Sequence, residues 1–331
     1  MSATLPDNDG LLILPRLRIQ NANAISSPFT HGFPAITAFI GLMWALERKL
    51  AEQQLPLIFN SVGVICHDFA EQTQPGYVQT FRLTRNPLNQ RGDPPAIVEH
   101  GRMHLTLTLV FGVSGGFVEL DANARHQLAE CVAEQLSCMR VAGGSVLPAA
   151  EPRPGGRRQL PRLEVLSQDS EERANNFRRL RRQWLPGFAL VSRDDLLASH
   201  LHTLRQHTPH ASVLDAWLDF SRFNWRPAER DNHGKVIWRH DRPAGSGWLV
   251  PIPVGYAALG ELHPPGSVRD ARDANTPFRF VEGLYSLGQW ISPHRLERPE
   301  QLLWFADSQP EAGHYRCRNT FADTPAGALS A

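Results

Sequence analysis

Two rhythms of apolar and polar positions alternate along the first 150 residues, and the switches between them mark the elements. From Leu11 to Gln20 the chain is apolar and strand-like. Pro15 interrupts this run, and its missing ladder donor predicts an edge or a bulge. An Asn/Ser-rich segment, Asn21 to Pro28, reads as a loop. Pro34 then stands at the first position of a helix, where its lost N–H costs nothing. Ile36, Phe39, Ile40, Met43, Leu46 and Leu50 recur at helical spacing and give that helix one apolar face. Gly41 inside it should cost about 1 kcal/mol against Ala, which close helix–sheet packing would explain.

Leu57 to Cys66 reads as a second strand and Met103 to Phe111 as a third. In the third, Met103, Leu105, Leu107, Leu109 and Phe111 share one face, while His104, Thr106 and Thr108 share the other. The polar stretch between them, with Asn86-Pro87, Arg91-Gly92 and Pro94-Pro95, predicts an extended hairpin or loop. Asp121 is placed to cap a second amphipathic helix carrying Leu128, Val132, Leu136 and Met139. Gly143-Gly144 ends that helix, and a short strand begins at Ser145. The order β-α-β-β-α-β is that of a ferredoxin-like unit, an α+β fold used by many RNA-recognition modules. The aromatic strand signature of the common RNA-recognition motif is absent, and fold alone licenses no function.

Further along, Glu171 to Trp184 reads as a helix, and His200 to His210 as part of another. From Trp248 onward, Pro, Gly and aromatics predict short strands and loops. The 331 residues fit one large or two modest domains. Cys66, Cys131, Cys138 and Cys317 lack Cys-x-x-Cys spacing, which predicts buried free thiols in a cytoplasmic protein. No apolar run approaches the roughly 18 residues of a membrane span, and Met1 to Asp7 has no secretory pattern.

Charge changes the picture. The 34 basic and 33 acidic residues give a net charge of +1, but all except Lys49 and Lys235 among the basic residues are arginine. Codon bias explains an arginine excess; so does a need for rigid, multi-donor phosphate contacts. The near-zero total hides two local basic segments. Glu151 to Gly187 holds nine arginines against five acids, and Arg222 to Arg242 holds six basic residues against three acids, interleaved with Phe223, Trp225 and Trp238. A solvated helix and a phosphate-neutralising surface both fit the first segment.

No Walker A, Gly-x-Ser-x-Gly or His-Glu-x-x-His motif is present. The histidines at His200, His202, His207 and His210 are not at metal-ligand spacing on one helical face, and His100 and His104 read as ordinary strand histidines. Two segments carry candidate chemistry. Gln20, Asn21, Asn23, Ser26 and Ser27, then Thr30-His31-Gly32, bring amides and hydroxyls ahead of a helix start. Amides read base edges, and hydroxyls hold phosphates; Asn and Ser also simply populate loops. Arg269 to Glu282 alternates arginines with acids and then Arg279 with Phe278 and Phe280.

These two segments carry a family resemblance. Leu12 to Pro28 resembles the start of the second subunit of the type I-F CRISPR surveillance (Csy) complex. So does Thr276-Pro277-Phe278-Arg279-Phe280-Val281-Glu282, continued by Tyr285 to Trp290 and by Ser292 to Leu296. The likeness spans roughly residues 11–300, with the Arg-rich middle matching only in general character.

The resemblance implies a repeat-associated (RAMP) superfamily protein: a ferredoxin-like domain over 10–150 with inserted thumb or hairpin elements. An Arg-rich helical insertion would follow over 151–245, a mixed β-rich C-terminal part over 246–323, and a disordered tail over 324–331. It implies a subunit without catalysis or cofactor that grips the 5′ handle of the CRISPR RNA. Its expected partners are the large subunit, in a heterodimer, the adjacent backbone subunit, and target DNA near the complex tail. Gln20, Asn21, Asn23, Ser26, Ser27, Arg272, Thr276, Arg279, Phe280 and Arg295 are the expected RNA contacts. Arg173, Arg178, Arg179, Arg181 and Arg182 are expected to touch nucleic acid or a partner. The alternatives are a CRISPR-RNA-processing endoribonuclease of the same superfamily and a pure scaffold.

Overall fold

The computed structural model describes residues 4–55, 57–85, 88–89, 91–149, 159–222, 224–240, 242, 246–271 and 273–323. The Asn86-Pro87 turn, Arg153, Arg157, Arg158, Phe223, Arg272 and the segment 324–331 lie outside them.

The amino-terminal half runs β1 (Gly10–Asn23), β2 (Ile25–Ser27), β3 (Thr30–His31), α1 (Ile36–Ala51), β4 (Ile58–Glu71), β5 (Thr73–Gln74), β6 (Thr80–Arg85), β7 (Ile97–His100), β8 (Arg102–Ser114), α2 (Ala122–Ser137), β9 (Arg140–Val141) and β10 (Gly144–Leu147). The rest runs β11 (Arg162–Val165), α3 (Ser170–Arg182), β12 (Phe188–Ser192), α4 (Asp194–His207), α5 (Val213–Ser221), β13 (Trp225–Arg230), β14 (Val236–His240), β15 (Trp248–Ala258), β16 (Val281–Ile291), β17 (Trp304–Gln309) and β18 (His314–Asn319). One 11-stranded antiparallel sheet dominates, in the order β12-β16-β15-β18-β17-β4-β8-β1-β10-β9, with β11 also on β1. Among the described residues there are five α-helices.

Pro15 sits at a break in the β1–β8 register between Leu14 and Leu17, with Arg16 at φ +52°. On its other side β1 pairs with β11 up to Ile13 and with β10 from Arg18. Pro15 therefore occupies the gap between two partners, where no donor is needed. The bulge expected from the sequence is present.

α1 and α2 cover one face of the sheet. Ile36, Phe39, Ile40, Leu42, Met43, Leu46 and Leu50 from α1, with Leu128, Ala129, Val132 and Leu136 from α2, join Leu12, Leu14 and the odd-numbered apolar positions of β8 in one core. Each such side chain contributes roughly 1.5–3 kcal/mol on burial, far more than the local cost of a mid-helix glycine. Asp121 caps α2, accepting from the Ala124 N–H at 2.8 Å.

The second face is only partly covered. Phe177, Leu180 and Trp184 of α3 and its continuation pack there on Leu11, Ile13, Ile65 and Val110. A third cluster seats α4 and α5 on β15 and β16 through Leu197, Ala216, Trp217, Leu249 and Leu287.

Several expectations need correction. α1 begins at Ile36 with Ala35 as its N-cap, so Pro34 precedes the helix, buried, rather than opening it. Gly41 faces open space, and a Cβ there would meet no atom within 4 Å; close packing does not explain it. Asn21 to Ser27 is not a loop: Ala22 and Ala24 are buried while Asn21 and Asn23 are exposed. That is strand alternation, hidden because alanine is a weak apolar signal. β15 and β16 are long, at 11 residues each. Pro251 and Pro253 mask β15, but β18 pairs only with Gly255 to Ala257, so neither proline owes a second ladder bond. α4 ends at His207, leaving His210 outside it, and His200 meets Asp219 of α5 at 3.1 Å. Cys66 and Cys317 are buried as expected, but Cys131 and Cys138 are exposed.

Candidate nucleic-acid interface

Strand alternation places His104, Thr106 and Thr108 on the second face of the sheet, away from α1 and α2. α3 covers Val110 on that face but stops short of His104. The uncovered part is an open hollow of about 370 Å³ lined by Arg18, Gln20, Asp68, His104 and Thr106, among others.

The end of β1 borders this hollow. A second register break lies between Ile19 and Ala22, and Asn21 adopts φ +59°. Asparagine tolerates this left-handed conformation better than most residues, and the turn of backbone re-aims its side chain, as bulges do. Asn21 Oδ1 accepts from Gln72 Nε2 at 2.5 Å. The Asn21 N–H donates to His104 Nδ1 at 3.4 Å, and the other ring nitrogen of His104 lies 3.2 Å from the Gln72 amide. Arg102 reaches the Asn21 carbonyl at 3.5 Å and His100 Nδ1 at 3.0 Å. Among the described residues, the Gln20 amide and the Asn21 amide nitrogen keep their hydrogen-bonding capacity unused. Two guanidinium groups, an imidazole and free amides thus share one exposed end of the sheet. That set can bind phosphates and the edges of unstacked bases.

The other candidates fall in different places. Asn23 is turned inward on its own strand end: its amide donates to the Ile25 carbonyl at 2.6 Å and accepts from the Ile25 N–H at 3.2 Å. Ser26 and Ser27 each meet the Thr30 hydroxyl at 2.7 Å, which pins the β2–β3 hairpin. Thr276 is held by Asp273 through both its N–H and its hydroxyl. Arg279 Nη1 donates to the Pro310 carbonyl at 2.8 Å and clamps the β15–β16 connection onto the β17–β18 turn. Phe280 is half exposed, edge-on to Phe278 at 5.0 Å and to His263 at 5.5 Å. β17 meets β4 at Trp304 and Val62 and runs antiparallel to it, toward Ile58. Asn21 lies near the Glu71 end of β4. The two segments singled out in the sequence therefore sit toward opposite ends of the sheet.

The arginines of α3 divide into two classes. Arg173 pairs with Glu300 and Arg181 with the Leu296 carbonyl; both fasten the helix to the 3-10 turns between β16 and β17. Burial lowers the pKa of Arg181, and its neighbours Arg178 and Arg182 lower it further. Arg178 and Arg179 are exposed and, among the described residues, bond to Asn175 and Asn176, one turn back. Arg182 is exposed, and so is Arg295 on the 3-10 turn Pro293–Arg295, which packs on α3. These four make a basic patch separate from the β1 site.

Gln72, Arg102 and His104 were not singled out from the sequence as candidates. Only the alternation of β8 signalled His104. Among the described residues, no group of three or more His, Cys, Asp and Glu side chains could hold a metal ion, and no helix is long and apolar enough to cross a membrane.

The family described as "CRISPR-associated protein (Cas_Csy2)" matches residues 12–317. The chain is also 48% identical over 326 residues to "CRISPR-associated protein Csy2" of Pseudomonas aeruginosa (strain UCBPP-PA14), covering 96% of this chain and 96% of that protein.

Proposed function

The chain belongs to the Csy2 family of CRISPR-associated proteins, and from that premise we propose that it is the cytoplasmic, non-catalytic subunit that holds the 5′ handle of the CRISPR RNA in the type I-F complex. The observation that carries this reading is the bulged end of β1. It sets Gln20 and Asn21 beside Arg18, Arg102 and His104 on the part of the second sheet face that α3 leaves open.

The order of the first strands supports a RAMP-type ferredoxin-like domain. β10, β1, β8 and β4 lie side by side with α1 and α2 on one face, the arrangement expected of a β-α-β-β-α-β unit. The opposite face of such a sheet is the one RNA-recognition modules use to read single strands. Pairing with the large subunit is supported by the outer side of α5, where Val213, Leu214 and Leu218 are 53%, 57% and 46% exposed. The α3 patch of Arg178, Arg179, Arg182 and Arg295 suits an adjacent subunit or target DNA.

Handle affinity tests the assignment. Asn21→Gly keeps the left-handed backbone but removes the amide, and Gln20→Ala removes its neighbour. Together they should weaken binding of a 5′-handle RNA about tenfold or more at matched salt, on the order of 1 kcal/mol per lost hydrogen bond, while thermal stability stays near wild type. Unchanged handle affinity overturns the assignment.

A further inference from the structure

The second basic segment of the sequence is not used by the β1 site. It folds into β13 and β14, a two-stranded hairpin outside the main sheet. Every residue of β13 is exposed, and in β14 only Val236 is partly covered.

Its register sorts the side chains. Trp225 faces His240, and Pro227 faces Trp238; cross-strand partners share a side, so both tryptophans, His240 and Pro227 lie on one face. Past the bulge at Ala228, Arg230 and Val236 rejoin that face. Arg226, Arg239, Glu229 and Ile237 occupy the other, where Arg239 and Glu229 pair at 2.6 Å.

Trp225 and Trp238 are 60% and 55% exposed. His240 stands edge-on to Trp225 at 5.6 Å. Trp225 and Trp238 are diagonal cross-strand neighbours, a relation that sets residues about 7–8 Å apart, roughly twice the ~3.4 Å rise per base of a stacked strand. Four basic residues, Arg226, Arg230, Lys235 and Arg239, stand against two acids, Glu229 and Asp231. Aromatic platforms with surrounding cations are how proteins hold single strands without reading their sequence.

The hairpin is also continuous with the family-marking segment. Arg242 bonds to the Phe220 carbonyl at its base. The next residue, Ser221, lines an aromatic cleft of about 530 Å³ whose other walls include Ser26, His31, Trp248 and Trp290.

We infer that the Trp225–Trp238 face of the β13–β14 hairpin is a stacking platform for single-stranded RNA, taking nucleotides of the CRISPR RNA that continue past the handle. This placement rests on the handle-binding reading above.

The test uses the full-length chain purified with its partner subunits and two RNAs, the handle alone and the handle extended into the spacer. Trp225→Ala and Trp238→Ala should each weaken the extended RNA at least about fivefold and leave the handle alone unchanged. Trp238→Phe should stay within about twofold of wild type, because the ring is kept.

Unchanged affinity of the alanine variants for the extended RNA overturns the inference. So does loss of co-purification with the large subunit at unchanged RNA affinity, which assigns the hairpin to protein contact. A larger effect on single-stranded DNA of the same sequence than on RNA also overturns it. Should wild type fail to bind the handle alone, the handle reading falls, while the alanine effect on extended RNA still decides the platform.

Discussion

His67 offers a perturbation whose size follows from the structure. Its imidazole bridges three segments. Nδ1–H donates to the Pro186 carbonyl at 2.7 Å, and Nε2 accepts from the Thr108 hydroxyl at 2.7 Å. The Thr108 oxygen accepts in turn from the Arg16 N–H at 3.2 Å, at the β1 bulge. Arg16 also donates to the Leu185 carbonyl at 3.1 Å. The network ties the end of the arginine helix to the sheet face that carries the β1 site. Burial pushes the His67 pKa down from 6.5 to about 4, and the Arg16 cation adds to the effect, against the opposing pull of the Pro186 carbonyl. Because the folded value lies below the unfolded one, the unfolded chain takes up the proton first. The contribution to stability is complete above about pH 6.5 and is lost as the pH falls toward 4. At about 1.36 kcal/mol for each pH unit between the two values, the loss is about 3 kcal/mol. Urea denaturation of wild type and His67→Gln at pH 7 and pH 4 isolates it, since the other titrating groups are common to both. The wild-type advantage should shrink by about 3 kcal/mol between the two conditions. A difference that does not change with pH would refute a neutral, half-buried His67.

Two further predictions concern the helices. Gly41→Ala should stabilise the isolated chain by about 1 kcal/mol in thermal or urea denaturation, because the added methyl meets no atom and the helix interior gains propensity; a loss of stability would contradict the open space seen there. Charge reversal at Arg178 and Arg182 should weaken complex assembly or nucleic-acid binding and flatten its salt dependence at unchanged stability. Reversal at Arg173 or Arg181 should instead lower the unfolding free energy, by roughly 1–3 kcal/mol for the lost charged hydrogen bond. Equal behaviour of the two pairs would contradict their separation into exposed and fastened arginines.

What was legible in the sequence was local. The face of α1, the alternation of β8, the Asp121 cap and the Pro15 bulge each depend on residues a few positions apart, and each is present. β11 and β12 are short strands whose partners lie far away in the chain, so no periodicity announces them. β15 was obscured because proline is a poor strand residue until one sees that its neighbour on that side is missing. The candidate site follows the same division. Gln20 and Asn21 stood out by chemical type. Gln72, Arg102 and His104 join them only because β1, β4 and β8 pair side by side. Conversely, residue type alone did not show that polar atoms of Asn23, Ser26, Ser27 and Thr276 are engaged in their own turns.

On the function proposed above, the bulged end of β1 holds the CRISPR RNA handle. A photo-crosslinking residue substituted at Gln20 in the assembled complex tests it directly. The expected product is a covalent adduct that maps to nucleotides of the 5′ handle. Crosslinks to protein alone, or to RNA only outside the handle, would contradict it.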